Sequence, residues 1–509
     1  MTRATMRARA ILTISAVIGL GAEASNASAQ ATIGGRWRQD VSTFAQKIVD
    51  AGLTPGMAVG VATGDWVTYA RGFGTTDMDT GRPVDGDTPF YIASSTKAFT
   101  ALAVVLAASR GEIDLDAPFT RYVPNAKYGT GVIPDSVTVR ALLDMTSGIS
   151  GNGPVTLVTA YTGQFDPKAL PAMLALHPSN GHVGSFVYDN IGYNMLGMVM
   201  AARVGGTWKD AVEREVLTPI GMPHTSAYWS RLDRDRVAYA HATTPNGFAR
   251  IPVSKRDENL HAAGGLFASA RDLARFLAVE VSGGKLSGVR VLPEKPIEET
   301  HVMRVAQDRQ FGPFHRYGWA YGWDLGTYEG DTIVHRFGGY GGYMSHVSFM
   351  PSHSIGVTVL VNNSGPAVGA ADLMATYVYD RLLGKPDLEA HYARRLDSLV
   401  AQAATYRKRL ADALAARRAR AAPLSHALAD YAGVYENPEL GRAEWREVAH
   451  GLELRLGVIE SRAGVYDAAK NQLRVEVAGS GMVATFEFPP SGGAASGFEL
   501  FGMPFRRVR

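Results

Sequence analysis

Ser94-Ser95-Thr96-Lys97 heads an apolar run that continues through Ala98-Phe99 and beyond. At the start of a helix, Ser-x-x-Lys places the lysine one turn after the serine on the same face. A serine hydroxyl is a weak nucleophile and needs a base beside it. Lysine can be that base when burial disfavours its charged form. The helix N-terminus also offers a backbone N–H to a developing oxyanion. Ser-x-x-Lys also occurs as a helix cap followed by a surface lysine. Ile92 and Phe99 argue against that reading, because they give Lys97 an apolar setting.

Two further stretches carry polar side chains of the right kind. Phe186-Val187-Tyr188-Asp189-Asn190 contains Tyr-x-Asn, which puts Tyr188 and Asn190 on one side of an extended or turn segment. A tyrosine there can shuttle protons if a cation stabilises its phenolate. Asn190 can hold the lysine and a substrate amide by hydrogen bonds. The same residues also suit an ordinary turn. His335-Arg336-Phe337-Gly338-Gly339-Tyr340 leads into a strand. Its glycines would let a substrate backbone lie against a strand edge, beside a cation.

These residues need a scaffold, and the chain supplies β-like runs at two places with helices between. Residues 57–62 and 66–70, separated by Gly64-Asp65, read as a hairpin, and so do 345–350 and 355–361 around Pro351. Helical segments fall near 98–109, 137–143, 192–203 and 270–281. The expected fold is α+β: an antiparallel sheet built from both ends of a domain, flanking helices, and an inserted helical region. After Pro386, Leu388, Tyr392, Leu396, Leu399, Ala403, Tyr406, Leu410 and Leu414 recur at spacings of three and four. They predict one long amphipathic helix ending before Pro423. Its basic cluster, from Arg407 to Arg420, reads as a solvated face near a helix C-terminus. Strict alternation in 452–456, 473–477 and 486–488 predicts a small all-β, barrel-like domain at the end.

Composition narrows the chemistry. The chain has 509 residues, too many for one ordinary core, and 46% of them are hydrophobic. It contains no cysteine, which excludes disulfides, a thiol nucleophile and thiolate metal sites. Thirteen histidines occur without a His-x-x-x-His or His-Glu-x-x-His pattern, so no metal and no cofactor are expected. A formal charge of +3 lacks the dense basic face that nucleic acid requires. Arg3, Arg7 and Arg9, an apolar run over 10–22, and Ala27-Ser28-Ala29 have the order of a secretory signal peptide. That leader carries most of the net charge. Its apolar run is shorter than the ~20 residues of a membrane-spanning helix. The expectation is a periplasmic or secreted protein with no integral membrane segment once the leader is removed. The expected domains are signal peptide 1–29, main domain 30–385, linker helix 386–422 and β-domain 423–509. Trp66, Trp319 and Trp323 fit core packing better than a pocket lining. No pattern specifies an oligomeric state.

Taken with these motifs, Pro55-Gly56-Met57, Arg71-Gly72-Phe73-Gly74, Leu142-Leu143-Asp144-Met145-Thr146-Ser147-Gly148 and Ala263-Gly264-Gly265-Leu266-Phe267 identify a resemblance. The chain resembles the serine β-lactamase and penicillin-binding superfamily, in its class C β-lactamase, D-aminopeptidase and esterase branch, over about 55–383. The end of the chain, with Asp430-Tyr431-Ala432-Gly433-Val434-Tyr435, is similar to lipocalin-like domains appended to such hydrolases. The resemblance implies a β-lactamase/transpeptidase-like antiparallel sheet and a helical subdomain. It implies that Ser94 is acylated, that Lys97 takes its proton and that Tyr188 shuttles protons with it. Asn190 would position Lys97 and the substrate amide, and the N–H groups of Ser94 and Gly339 would form the oxyanion hole. Nothing resembles the class A glutamate loop, which favours the tyrosine version.

The third motif departs from the family. Where relatives have Lys-Thr-Gly or His-x-Gly, this chain has Arg336-Phe337-Gly338, and strand periodicity turns His335 to the opposite face. Arginine effectively never deprotonates, but its planar fork suits a carboxylate. Two readings of Arg336 stand level: a receptor for a substrate carboxylate, or a brace for Asp189 or another acid. The resulting expectation is an exported serine hydrolase acting on amide bonds of peptides or β-lactam-like acids. The alternatives are a carboxylesterase of the same family and a penicillin-binding receptor without turnover.

Overall fold

The computed structural model describes residues 36–151, 153–252, 255–420, 423–477 and 480–508; the expected signal peptide lies outside them. Helix α1 (Arg36–Asp50) precedes the first hairpin, β1 (Gly56–Thr63) and β2 (Trp66–Gly74). Met57, Val59 and Val61 of β1 pack into one layer of core. Ala58, Gly60 and Ala62 make the other face small, and this lets a helix come close. A Cβ on Gly60 would stand 2.3 Å from the carbonyl oxygen of Ala270.

Between the chain's two contributions to the sheet lie α2 (Thr96–Ser109), α3 (Ile191–Val204) and α4 (Ala270–Val281). Helix α2 is buried on every side from Thr96 to Ala107, as the apolar run over 101–108 that fills most of it requires. The remaining strands of the sheet are β3 (Val305–Phe311), β4 (Phe314–Trp319), β5 (Asp324–Tyr328), β6 (Asp331–Tyr340), β7 (Tyr343–Met350) and β8 (Ile355–Val361). The order across the sheet is β2-β1-β8-β7-β6-β5-β4-β3, antiparallel throughout. The two ends meet where β1 pairs with β8, Val59 opposite Val359.

One face of the sheet is covered by α1, α5 (Ala367–Leu382) and the first half of α6 (Leu388–Arg420). Leu388, Tyr392 and Ala403 of α6 are buried there, whereas Leu410 and Leu414 are only half-buried. Lys408, Arg409 and Arg418 face solvent, and Arg407 donates to the carbonyl of Gly52 at 2.7 Å. The opposite face carries α2, α3 and α4. Among the described residues, no helix is long and apolar enough to cross a membrane.

The chain ends in a nearly closed, barrel-shaped antiparallel sheet. Its strands are β9 (Gly433–Asn437), β10 (Gly441–Val448), β11 (Gly451–Leu456), β12 (Ile459–Arg462), β13 (Gly464–Asp467), β14 (Gln472–Val477), β15 (Ser480–Glu487), β16 (Gly497–Leu500) and β17 (Met503–Arg507). Tyr431, Tyr435, Trp445, Phe486, Phe498 and Phe505 are buried, and their rings pack mainly edge-on and tilted against one another. Two hairpin tips touch the segment inserted between the two halves of the first sheet. Val458 N donates to Thr162 O at 2.8 Å, and Gln164 exchanges hydrogen bonds with the backbone of Arg442 at 2.9 and 3.2 Å.

Candidate active site

Ser94 lies in a 3₁₀ turn, Ala93–Ser95, that runs directly into α2. Ala93 has φ 45°, a left-handed conformation that costs a residue with a Cβ about 1–2 kcal/mol. Neighbouring elements hold the turn in place. Ser345 Oγ of β7 donates to Ile92 O at 2.8 Å and lies 2.9 Å from Ser95 Oγ, which is itself 3.0 Å from Arg336 O. Gly338 makes the approach possible: a Cβ there would sit 1.9 Å from Ile92 O. Gly339, next along β6, is exposed at the open side of the site.

Lys97 follows one turn later and is fully buried, while Ser94 is half-buried. Its Nζ donates to Asn190 Oδ1 at 2.7 Å, to Ala263 O at 2.8 Å and to Ser94 Oγ at 3.4 Å. Tyr188 comes from the loop before α3, and its hydroxyl donates to Ser94 Oγ at 2.9 Å. Burial pushes the Lys97 ammonium down; Tyr188 opposes this and Arg336 adds to it, leaving lysine below its ordinary value. Burial acts in the other direction on Tyr188. The charges of Arg336 and Lys97, with hydrogen bonds from Lys97 and Ser94, outweigh it and hold the phenol low. The site therefore draws two proton-accepting groups toward neutral pH, on either side of one hydroxyl.

Arg336 and His335 part as β6 alternates. His335 is fully buried among Phe314 and Phe337, and neither ring nitrogen has a partner among the described residues. Arg336 reaches the site instead. Its Nη2 donates to the Tyr188 hydroxyl at 2.8 Å, Nε to Ser94 O at 3.2 Å and Nη1 to Asp324 Oδ2 at 2.9 Å. Each guanidinium nitrogen is thus engaged inside the protein, which favours the bracing role over a carboxylate receptor. The acid it braces is Asp324 and not Asp189. Asp189 Oδ1 accepts from Gly192 N at 3.0 Å at the start of α3, and burial raises its pKa to about 6.

Ser94, Lys97, Tyr188, Asn190, Arg336 and Gly338 are thereby brought together, with Gly339 adjoining. Asp324, Ser345 and the carbonyl of Ala263 complete the surroundings without having been singled out. A lone acid in the apolar run Trp323-Asp324-Leu325 signals a buried ion pair, and the Glu329-Gly330 turn that follows is the signal that sets Arg336 on the strand beside it. Trp319 and Trp323 are fully buried, and Trp66 is 55% exposed. Trp319 packs against both Tyr188 and Arg336.

A comparison with family models matches residues 41–379 to the family described as Beta-lactamase. The chain belongs to the Beta-lactamase family. Among curated relatives, penicillin-binding protein 4 of Amycolatopsis lactamdurans is 26% identical over 338 residues, covering 65% of this chain and 85% of the relative. Protein flp of Staphylococcus aureus (strain COL) is 24% identical, over 64% of this chain; the matched region spans 63% of flp's own length. The octameric penicillin-binding protein homologue from Pyrococcus abyssi superposes with TM-score 0.58 at 22% identity, over 92% of this chain and 99% of its own. The D-amino acid amidase from Ochrobactrum anthropi SV3 gives TM-score 0.54 at 20% identity, over 72% and 99%. These two share the fold, and the first shares it across the terminal barrel as well.

Proposed function

We propose that this Beta-lactamase family member is an exported serine hydrolase that cleaves amide bonds of small peptides or β-lactam-like compounds through an acyl-serine. The observation that carries this reading is Ser94 Oγ between the Tyr188 hydroxyl and the buried Lys97 ammonium, at 2.9 and 3.4 Å. With Lys97 neutral or Tyr188 ionised, the pair takes the Ser94 proton as Oγ bonds to the carbonyl carbon. The N–H groups of Ser94 and Gly339 would receive the oxyanion. The proton then passes through Tyr188 to the leaving nitrogen as the C–N bond breaks. A water, deprotonated by the same pair, attacks the ester and frees Ser94. Structural similarity to an amidase of D-amino acids supports amides over esters as the primary substrate class.

The test is purified protein with a chromogenic β-lactam, a D-amino-acid amide and a p-nitrophenyl ester, beside Ser94→Ala. Turnover that the variant lacks supports the reading, and amide turnover above ester turnover supports the substrate class. Stoichiometric labelling of Ser94 without turnover would instead make the protein a receptor. Activity that survives Ser94→Ala would remove the assignment.

A further inference from the structure

Beside Tyr188 lies a buried charged cluster that the proton transfers above do not use. Asp324, the first residue of β5, is fully buried. The strands on either side of β5 each aim a guanidinium at it: Arg336 from β6 at 2.9 Å and Arg316 from β4 at 3.4 Å. Its other carboxylate oxygen accepts from Gln307 Nε2 at 3.0 Å, and Gln307 is tied in turn to Gly318 O at 2.7 Å. The carboxylate is therefore held on both oxygens, by β4 and β6 on either side and by β3 one strand further out.

That anchoring bears on Arg336. An arginine stem has several rotatable bonds, but its planar fork is rigid, so fixing one nitrogen aims the others. With Nη1 on Asp324, Nη2 falls 2.8 Å from the Tyr188 hydroxyl and Nε 3.2 Å from Ser94 O. We propose that Asp324 is a positioning residue of this site: it aims the Arg336 guanidinium at Tyr188, so the arginine serves the tyrosine and not a substrate carboxylate. The proposal rests on the acyl-serine reading for its consequence in turnover, and on geometry alone for its effect on Tyr188.

The groups facing Tyr188 set the sign of the test. Lys97 of α2 stands 5.0 Å from its ring and Arg336 of β6 4.8 Å, Ser94 Oγ meets its hydroxyl, Asp189 adjoins it, and Tyr193 of α3 lies nearby. Behind Arg336 stand Asp324 and Arg316. Removing Asp324 alone takes away a negative charge, which through space would lower the Tyr188 pKa. Losing the aimed guanidinium would raise it. The two effects have opposite signs.

The experiment compares Asp324→Asn with Asp324→Asn/Arg316→Met, which removes one charge of each sign and so keeps the net charge of the buried cluster as it is in the parent. Tyr188 ionisation is followed in the full chain as the ultraviolet tyrosinate signal that Tyr188→Phe abolishes. The expected result in the double variant is a Tyr188 midpoint higher by about one pH unit or more. The acid limb of kcat/KM should rise with it, and kcat should fall about tenfold, with KM changed equally for neutral and acidic substrates. Asp324→Glu should restore most of the parent profile. A midpoint that stays or falls overturns the proposal, as does a KM rise confined to acidic substrates. Because the tyrosinate titration needs no turnover, failure of the acyl-serine reading in the Ser94→Ala test remains distinguishable from failure here.

Discussion

Gly338 of β6 lies so close to the carbonyl oxygen of Ile92 that a Cβ on it would stand 1.9 Å away, inside any permissible contact. Gly339 differs: its Cβ would meet only the flexible Met344 side chain, at 3.0 Å. Gly338→Ala should therefore push β6 off the nucleophile turn, costing about 1–3 kcal/mol of stability and at least tenfold in kcat. Gly339→Ala should fold with nearly the parental melting temperature. Thermal melts and kinetics on the two alanine variants check the contrast, and equal behaviour would refute it.

Ser345 is the second attachment of that turn. Ser345→Ala leaves Ile92 O and Ser95 Oγ without the hydroxyl they now meet, in a fully buried setting. The expected loss is about 1–3 kcal/mol, read by denaturant unfolding, with a fall in kcat at unchanged KM. Ser345→Thr, which keeps the hydroxyl, should recover part of both.

Lys97 couples stability to pH. Its folded-state pKa lies below the ordinary lysine value, so between the two values the unfolded chain binds more protons than the folded one. Stability contributed at this position is present above the unfolded pKa, ~10.4, and is lost as pH falls through the folded one. Lys97→Met has no such term. The unfolding free energy of the parent relative to Lys97→Met should therefore rise as pH climbs from neutrality toward about 10, by roughly 1.4 kcal/mol for each pH unit by which the folded lysine is held low, as read by denaturant unfolding. A constant difference across that range would contradict the depressed pKa.

Gly457 carries the barrel's contact with the insert. It has φ 60°, and a Cβ would stand 1.9 Å from Thr162 O, the acceptor of Val458 N. Tyr161, beside that acceptor, packs against Tyr340 one residue beyond Gly339. Gly457→Val should break the Val458–Thr162 hydrogen bond and speed amide exchange in residues 158–164 by at least tenfold. Hydrogen–deuterium exchange measures this directly; unchanged protection would mean that the barrel does not restrain the segment.

Much of this arrangement follows from local periodicity. Ser94 and Lys97 share a face because a helix returns after about one turn. His335 turns away from Arg336 because side chains alternate along a strand. The hairpins at β1–β2 and β7–β8 follow from alternating and apolar runs bounded by turn residues. These features depend on bonded geometry over a few residues, and one chain of amino acids is enough to specify them.

The partners of those residues are a different matter. Ser345 meets Ile92 across 253 positions, Ser95 meets Arg336 O across 241, and Arg336 meets Tyr188 across 148. Arg336 alone was compatible with a substrate carboxylate or with an internal acid, and Asp189 was the acid nearest the motifs. The hairpin that joins β5 to β6 through Glu329-Gly330 brings Asp324 within 2.9 Å of Arg336, and the fold aims that guanidinium at Tyr188. By themselves, the residue types determined an oxygen nucleophile with a lysine one helical turn away. The tertiary structure decided which charges surround that pair, because a buried ion must take its counter-ion from whichever strand the fold sets next to it.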